Sequence, residues 1–222
     1  MLLPEERAQL VRFARRMEAD RLAVGTSGNL SVRSGNLVAC TPSGVDYADL
    51  APETICVYRL DGGPAEAGPV PTSELPMHLE VYRHTDARAI VHTHPTAATV
   101  LSTLVDELPP IHYLLALFGG PVRVARYATY GSEELAANVV AALGGRTACI
   151  LANHGALSVG DTLHTAYSRA RYLEWLCQVY LQARMIGEPR LLPAEEIRRV
   201  EGKLAMYGQT DSRQGDERRR SG

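Results

Sequence analysis

The stretch Ala89-Ile90-Val91-His92-Thr93-His94 opens with apolar residues, two of the three β-branched, and ends with histidines at alternate positions. Such a run suits a short buried strand. On a strand, side chains at i and i+2 leave the same face, so His92 and His94 project together and can chelate one divalent metal. An isolated pair of this kind can equally be two half-buried histidines satisfied by backbone carbonyls.

The segments on either side decide more. Downstream, residues 148–152 form a second apolar strand that runs into Asn153-His154-Gly155, so His154 stands at a strand end where the chain turns. Three histidines at strand ends leave one metal position open, the arrangement of a catalytic rather than a structural zinc. Spacing alone leaves open whether His154 meets the pair. Upstream, Thr72-Ser73-Glu74 starts a helix to about residue 84, with Ser73 as its expected N-cap and Pro76 in the first turn. Glu74 in that turn is the candidate fourth partner and general base, although a first-turn carboxylate also suits the helix dipole.

Farther out, Leu10, Phe13, Ala14 and Met17 recur on one helical face, in a pattern that runs toward Gly25. Ser34-Gly35-Asn36 between 30–32 and 37–40 predicts a hairpin. Residues 61–71, rich in glycine and proline, predict a surface loop. Helices are expected over 133–143, capped by Ser132, and over 163–186. These elements predict one α/β or α+β domain spanning 1–208, followed by a charged, disordered tail over 209–222.

Composition narrows the function. The 222 residues carry a formal net charge of −2, which removes any global electrostatic case for nucleic acid or an anionic membrane. No apolar run is long enough to span a bilayer, and the charged start does not read as a signal peptide. Cys40, Cys56, Cys149 and Cys177 are scattered without zinc-type spacing and are expected to be reduced and buried. A cytoplasmic protein is the expectation.

Gly25-Thr26-Ser27-Gly28-Asn29 and Thr41-Pro42-Ser43-Gly44 are turns whose N–H groups and hydroxyls could meet phosphate oxygens, although neither is a Walker A or dinucleotide loop. Taken singly, each is an ordinary turn. Tyr113 and Tyr207 could be phenolic proton donors or simply packing residues.

Taken in order, G-T-S-G-N, T-P-S-G, T-S-E-x-x-x-H, H-x-H, I-H-Y and N-H-G resemble the class II aldolase/adducin family, within it the L-fuculose-1-phosphate aldolase branch. The likeness runs from the first helix through Met206-Tyr207-Gly208. It implies an α/β/α sandwich around a mainly antiparallel sheet and a homotetramer with active sites between subunits. It implies one Zn2+ per chain (or another divalent metal) on His92, His94 and His154, with Glu74 as acid/base that can also contact the metal. Gly28, Asn29, Ser43, Gly44, Thr72 and Ser73 fall on the family's phosphate-binding positions. Tyr113 matches the tyrosine that moves the aldehyde-side proton, and Tyr207 one that reaches into a neighbouring site. The implied reaction is reversible cleavage of a ketose 1-phosphate, L-fuculose 1-phosphate or a similar deoxy-ketose phosphate, to dihydroxyacetone phosphate and a small aldehyde. Pentulose-phosphate 4-epimerases and methylthioribulose-1-phosphate dehydratases are the alternatives within the family. An adducin-like non-catalytic module is disfavoured by the complete histidine set, and a Schiff-base aldolase by a single lysine, Lys203.

Overall fold

The computed structural model describes residues 1–204 and 206; Tyr207 and the tail expected over 209–222 lie outside the described residues. Helix α1 (Pro4–Ala19) leads into the hairpin β1 (Asn29–Ser34) and β2 (Leu37–Cys40), then β3 (Cys56–Arg59). Helix α2 (Leu75–His84), β4 (Ala89–Thr93), α3 (Thr96–Leu101) and the two-residue β5 (Glu107–Leu108) follow. After a 3₁₀ turn at Tyr113–Phe118 come β6 (Val122–Ala125), α4 (Glu133–Leu143), β7 (Ala148–Leu151) and β8 (Gly155–Gly160). The long helix α5 (Leu163–Ile186) and α6 (Ala194–Leu204) complete the described chain.

One eight-stranded sheet runs in the order β3-β2-β1-β4-β8-β7-β6-β5. Every neighbouring pair is antiparallel except β6 and β7. Alternation along the strands sends side chains into two different cores. Val38, Cys40, Ile90, Cys149 and Leu151 pack with Leu79, Tyr82 and Val139 of α2 and α4 on one face. Ala39, Ala89 and Val91 pack with Leu10, Met17 and Ala166 of α1 and α5 on the other, where Ala148 and Ile150 join Leu173 and Leu176 farther along α5. The result is the three-layer α/β/α sandwich with a mostly antiparallel sheet. Burying a leucine or isoleucine here contributes about 1.5–3 kcal/mol, which is why the alternation fixes the faces so firmly.

Two local expectations change. Helix α1 stops at Ala19, with Asp20 and Arg21 donating their N–H groups back to Arg16 and Glu18 carbonyls, well before Gly25. Helix α2 is not capped by Ser73: Glu74 is the N-cap residue and makes no side-chain cap bond, so its carboxylate is free for other partners. The cysteines are all unbonded and buried, yet Cys40 and Cys56 face each other across β2 and β3, a proximity invisible in their sequence positions. The Ser34-Gly35-Asn36 hairpin, the Ser132 cap and the 163–186 helix stand as expected. The 61–71 segment contains no helix or strand.

Candidate metal centre and active site

Sheet order brings the histidines together. β8 lies beside β4, with Thr93 opposite Ala156, so the turn between β7 and β8 delivers His154 to the end of β4. Asn153 takes a left-handed backbone (φ 52°) in that turn. Gly155 serves a different need from a sharp turn: a Cβ there would sit 2.3 Å from the Thr93 carbonyl oxygen. Only glycine lets β8 approach β4 so closely beside His94.

The three imidazole rings form a mutual edge-to-face cluster with centroids 4.7, 4.9 and 4.8 Å apart. His92 Nε2 lies 2.9 Å from His94 Nε2 and 2.8 Å from Glu74 Oε2. One donor atom from each of Glu74, His92, His94 and His154 falls within 4.8 Å of the others. His92 Nδ1 is 3.0 Å from the Ala156 carbonyl, so it carries the proton and leaves Nε2 as a lone pair aimed into the cluster.

The donor set fits a divalent cation. Glu74 Oε1 is buried without a hydrogen-bond partner, and His154 Nε2 lies 3.4 Å from it without hydrogen-bond geometry. Imidazole lone pairs and a carboxylate converge here, a nitrogen and oxygen donor set of the kind that would hold a divalent cation such as zinc. Burial, reinforced by the neighbouring rings, brings His94 down to about 3 and His154 down to about 4, so both rings are neutral at neutral pH, the form that can donate a lone pair to a metal. Burial pushes the Glu74 carboxyl up, but His92, Asn29 and His154 together outweigh it and hold it well below the usual carboxylate range.

Glu74, His94 and His154 of this cluster line a cavity of about 400 Å³. All six residues expected at the phosphate end line it: Gly28, Asn29, Ser43, Gly44, Thr72 and Ser73. Their donors are not equally available. The Gly28 N–H donates to the Tyr47 hydroxyl at 3.0 Å, and the Ser43 N–H donates to the Val70 carbonyl. Thr72 Oγ1 accepts from the Glu74 N–H at 3.3 Å. The hydroxyls of Ser27, Ser43 and Ser73 remain, as does the Thr72 O–H, which accepting leaves free to donate, and Ser27 Oγ is buried without a partner. Among the described residues no lysine or arginine lines the cavity, so the donors they offer an anion there are neutral.

Ser27, Tyr127, Tyr130 and Asn153 also line the cavity and were not singled out from sequence. Ser27 stood inside a recognised turn and could have been found there. The loop at 127–131 carried no local signal; Gly131 (φ 75°) sets it against the Ser73 carbonyl, where a Cβ would come within 2.8 Å. Tyr113 is not among the lining residues. It is 47% exposed on the 3₁₀ turn, stacked on His112 with centroids 4.4 Å apart.

Residues 8–181 match the family model described as Class II Aldolase and Adducin N-terminal domain. The chain belongs to the class II aldolase/adducin family. Among its curated relatives, a 5-deoxy-D-ribulose 1-phosphate aldolase of Bacillus thuringiensis serovar kurstaki is 40% identical over 94% of this chain and 100% of its own. A 5-methylthioribulose-1-phosphate/5-deoxyribulose-1-phosphate aldolase of Rhodospirillum rubrum is 40% identical over 90% of each chain. A solved L-fuculose 1-phosphate aldolase superposes with a TM-score of 0.88 at 39% identity, covering 90% of this chain and 96% of its own. A class II aldolase thus has, in this chain, a Glu/His₃ cluster suited to a metal ion. No helix among the described residues is long and apolar enough to cross a membrane.

Proposed function

We propose that the chain is a zinc-dependent aldolase that reversibly cleaves a ketose 1-phosphate to dihydroxyacetone phosphate and a short aldehyde. The observation that carries this reading is one cavity lined both by Glu74, His94 and His154, whose cluster His92 completes, and by hydroxyl-bearing turns. In this reading the carbonyl of a three-carbon phosphate lies at the cluster and its phosphate at Ser27, Ser43 and Ser73.

His92, His94 and His154 would hold a divalent cation, which would supply Lewis-acid polarisation of the substrate carbonyl. Glu74, ionised and unblocked by any cap bond, takes the proton from the carbon beside that carbonyl. Asn29, 3.0 Å from Glu74 Oε2, orients the carboxylate for that transfer. The serine hydroxyls fix the phosphate, so one face of the resulting nucleophile meets the aldehyde.

Among substrates, a 5-deoxypentulose 1-phosphate, whose cleavage releases acetaldehyde, is preferred over L-fuculose 1-phosphate. The support is the relative of that name, which aligns over its entire length. Tyr113, exposed and outside its own chain's cavity, serves the aldehyde-side proton in a neighbouring subunit of a homotetramer.

The test is solvent deuterium exchange into dihydroxyacetone phosphate, followed by NMR, with zinc-loaded, stripped and Glu74→Gln protein. Exchange that requires both zinc and Glu74 is expected. Absence of exchange from protein holding one zinc per chain would overturn the aldolase and favour a 4-epimerase or dehydratase, which bring a different carbon to the site.

A further inference from the structure

His78 belongs to the T-S-E-x-x-x-H motif, yet neither the metal cluster nor the cavity lining includes it. It is completely buried and four residues beyond Glu74, on the face of α2 that lies against β1. Two spacings interlock there. Glu74, His78 and Tyr82 recur every four residues, about 6 Å along a helix. Asn29 and Ser31 recur every two, about 6.7 Å along a strand. The near match interleaves the two rows into one chain of side-chain hydrogen bonds.

Its direction follows from the chemistry of the end groups. A carboxylate only accepts, so Asn29 presents Nδ2–H to Glu74 Oε2, at 3.0 Å. The other side of that amide, Oδ1, also only accepts, and it lies 2.6 Å from His78 Nε2, which therefore carries the ring proton. Nδ1 is left as an acceptor for the Ser31 hydroxyl at 2.6 Å, and Ser31 Oγ accepts in turn from the Tyr82 hydroxyl at 2.8 Å. Reversing Asn29 would set its carbonyl against the Glu74 carboxylate and reverse every bond behind it.

We infer that His78 is a positioning residue: its Nε2–H, oriented by Ser31 and Tyr82, locks the Asn29 amide with its NH2 group toward Glu74 and so aims the base. This rests on Glu74 being the base proposed above. The device acts through Asn29 alone, since Ser31, His78 and Tyr82 are not among the residues that line the cavity. A buried chain of this kind holds its geometry without a charged partner, leaving the Glu74 carboxylate ionised and aligned.

The experiment has two arms. Long-range ¹⁵N–¹H NMR of metal-free and zinc-loaded protein, with His78→Gln used for assignment, is expected to find His78 protonated at Nε2. Protonation at Nδ1 would overturn the inference whatever the activity. In the kinetic arm, His78→Leu should lower kcat for exchange about ten- to a hundredfold with KM changed less than about twofold. His78→Gln, whose amide N–H can still donate to Asn29, should recover most of that loss. In an Asn29→Ala background, His78→Leu should have no further effect. Equal losses in the Leu and Gln variants, or additive losses with Asn29→Ala, would overturn the positioning role. If His78→Leu does not fold, Ser31→Ala, which removes the donor to Nδ1 together with the acceptor of the Tyr82 hydroxyl, carries the same comparison, with Tyr82→Phe as the control for the second loss. Wild-type protein that fails to exchange at all would overturn the aldolase reading, while the tautomer still decides the wiring.

Discussion

Glu74 combines an ionised carboxylate, one orphaned oxygen and no duty as a helix cap. Its substitution by glutamine should leave the three imidazoles to hold zinc, measured by metal content, while exchange falls by about two to four orders of magnitude. Unchanged turnover would remove Glu74 as the base. The histidines make a separate prediction about pH. His94 and His154 have folded pKa values of about 3 and about 4, below the unfolded value of about 6.5. Between these limits the unfolded chain binds more protons, so stability is fully present above pH 6.5 and is lost as the pH falls toward 4. The Tm of metal-free protein should therefore drop between pH 7 and 5, a window above the ordinary glutamate range. A flat profile there would argue against buried neutral rings. The residue types at the centre were legible in sequence because strand periodicity paired His92 with His94. The orphaned Oε1, and the Gly28 and Ser43 amides already spent on Tyr47 and Val70, were not, because each depends on a partner remote in sequence.

Two elements hold His94 from either side. Helix α3 begins two residues after it, and the N–H groups of Ala97 and Ala98 both donate to the Glu174 carboxylate of α5, at 2.9 Å each. That single buried side chain caps the helix from 76 residues away or more. Glu174→Ala should cost about 1–3 kcal/mol for each amide left unpaired. At this chain length each kcal/mol lowers Tm by about 2–4 °C, and zinc affinity should weaken because His94 loses its anchor. Glu174→Gln, which keeps one acceptor, should lose less. On the other side, Gly155→Ala forces a Cβ against the Thr93 carbonyl and toward His94 Cδ2, 3.3 Å from it. Overpacking of this kind costs about 1–3 kcal/mol, and calorimetry with zinc titration should register both the lower Tm and the weaker metal. A variant with wild-type Tm and zinc affinity would mean that β8 can shift freely. Helix and strand existence was legible here, since the periodicities are local. The Glu174 cap was not, because a mid-helix glutamate carries no sequence mark of its target.

At the scale of the whole molecule, the exposed surface beside the 3₁₀ turn gathers Tyr113, Tyr172 and Trp175, with Trp175 edge-on to His112 at 5.1 Å. Exposed aromatic side chains of this sort favour association, which accords with the proposed tetramer. Glu74→Gln and Tyr113→Phe should each be impaired alone. Co-expressed, they should regain activity, up to about a quarter of wild type for random assembly, because some sites draw both native residues from different subunits. Light scattering of the same samples checks that hybrids form. Hybrid tetramers without regained activity would confine Tyr113 to a surface role, and a fully active monomer would exclude shared sites.

The sequence by itself determined the helices, the hairpin, the alternation that splits the sheet into two packed faces, and which residue types could serve a metal. These are local properties, set by periods of 3.6 and 2 and by the chemistry of each side chain. Only the tertiary structure decided that β1, β4 and β8 lie side by side. That order brings Asn29, His92 and His154 to one point, hands Asn29 to His78 and Glu74 of α2, and leaves Tyr113 outside its own cavity. The reason is physical. Each such contact joins residues tens of positions apart, so its geometry comes from the packing of whole layers and is written in no single stretch of chain.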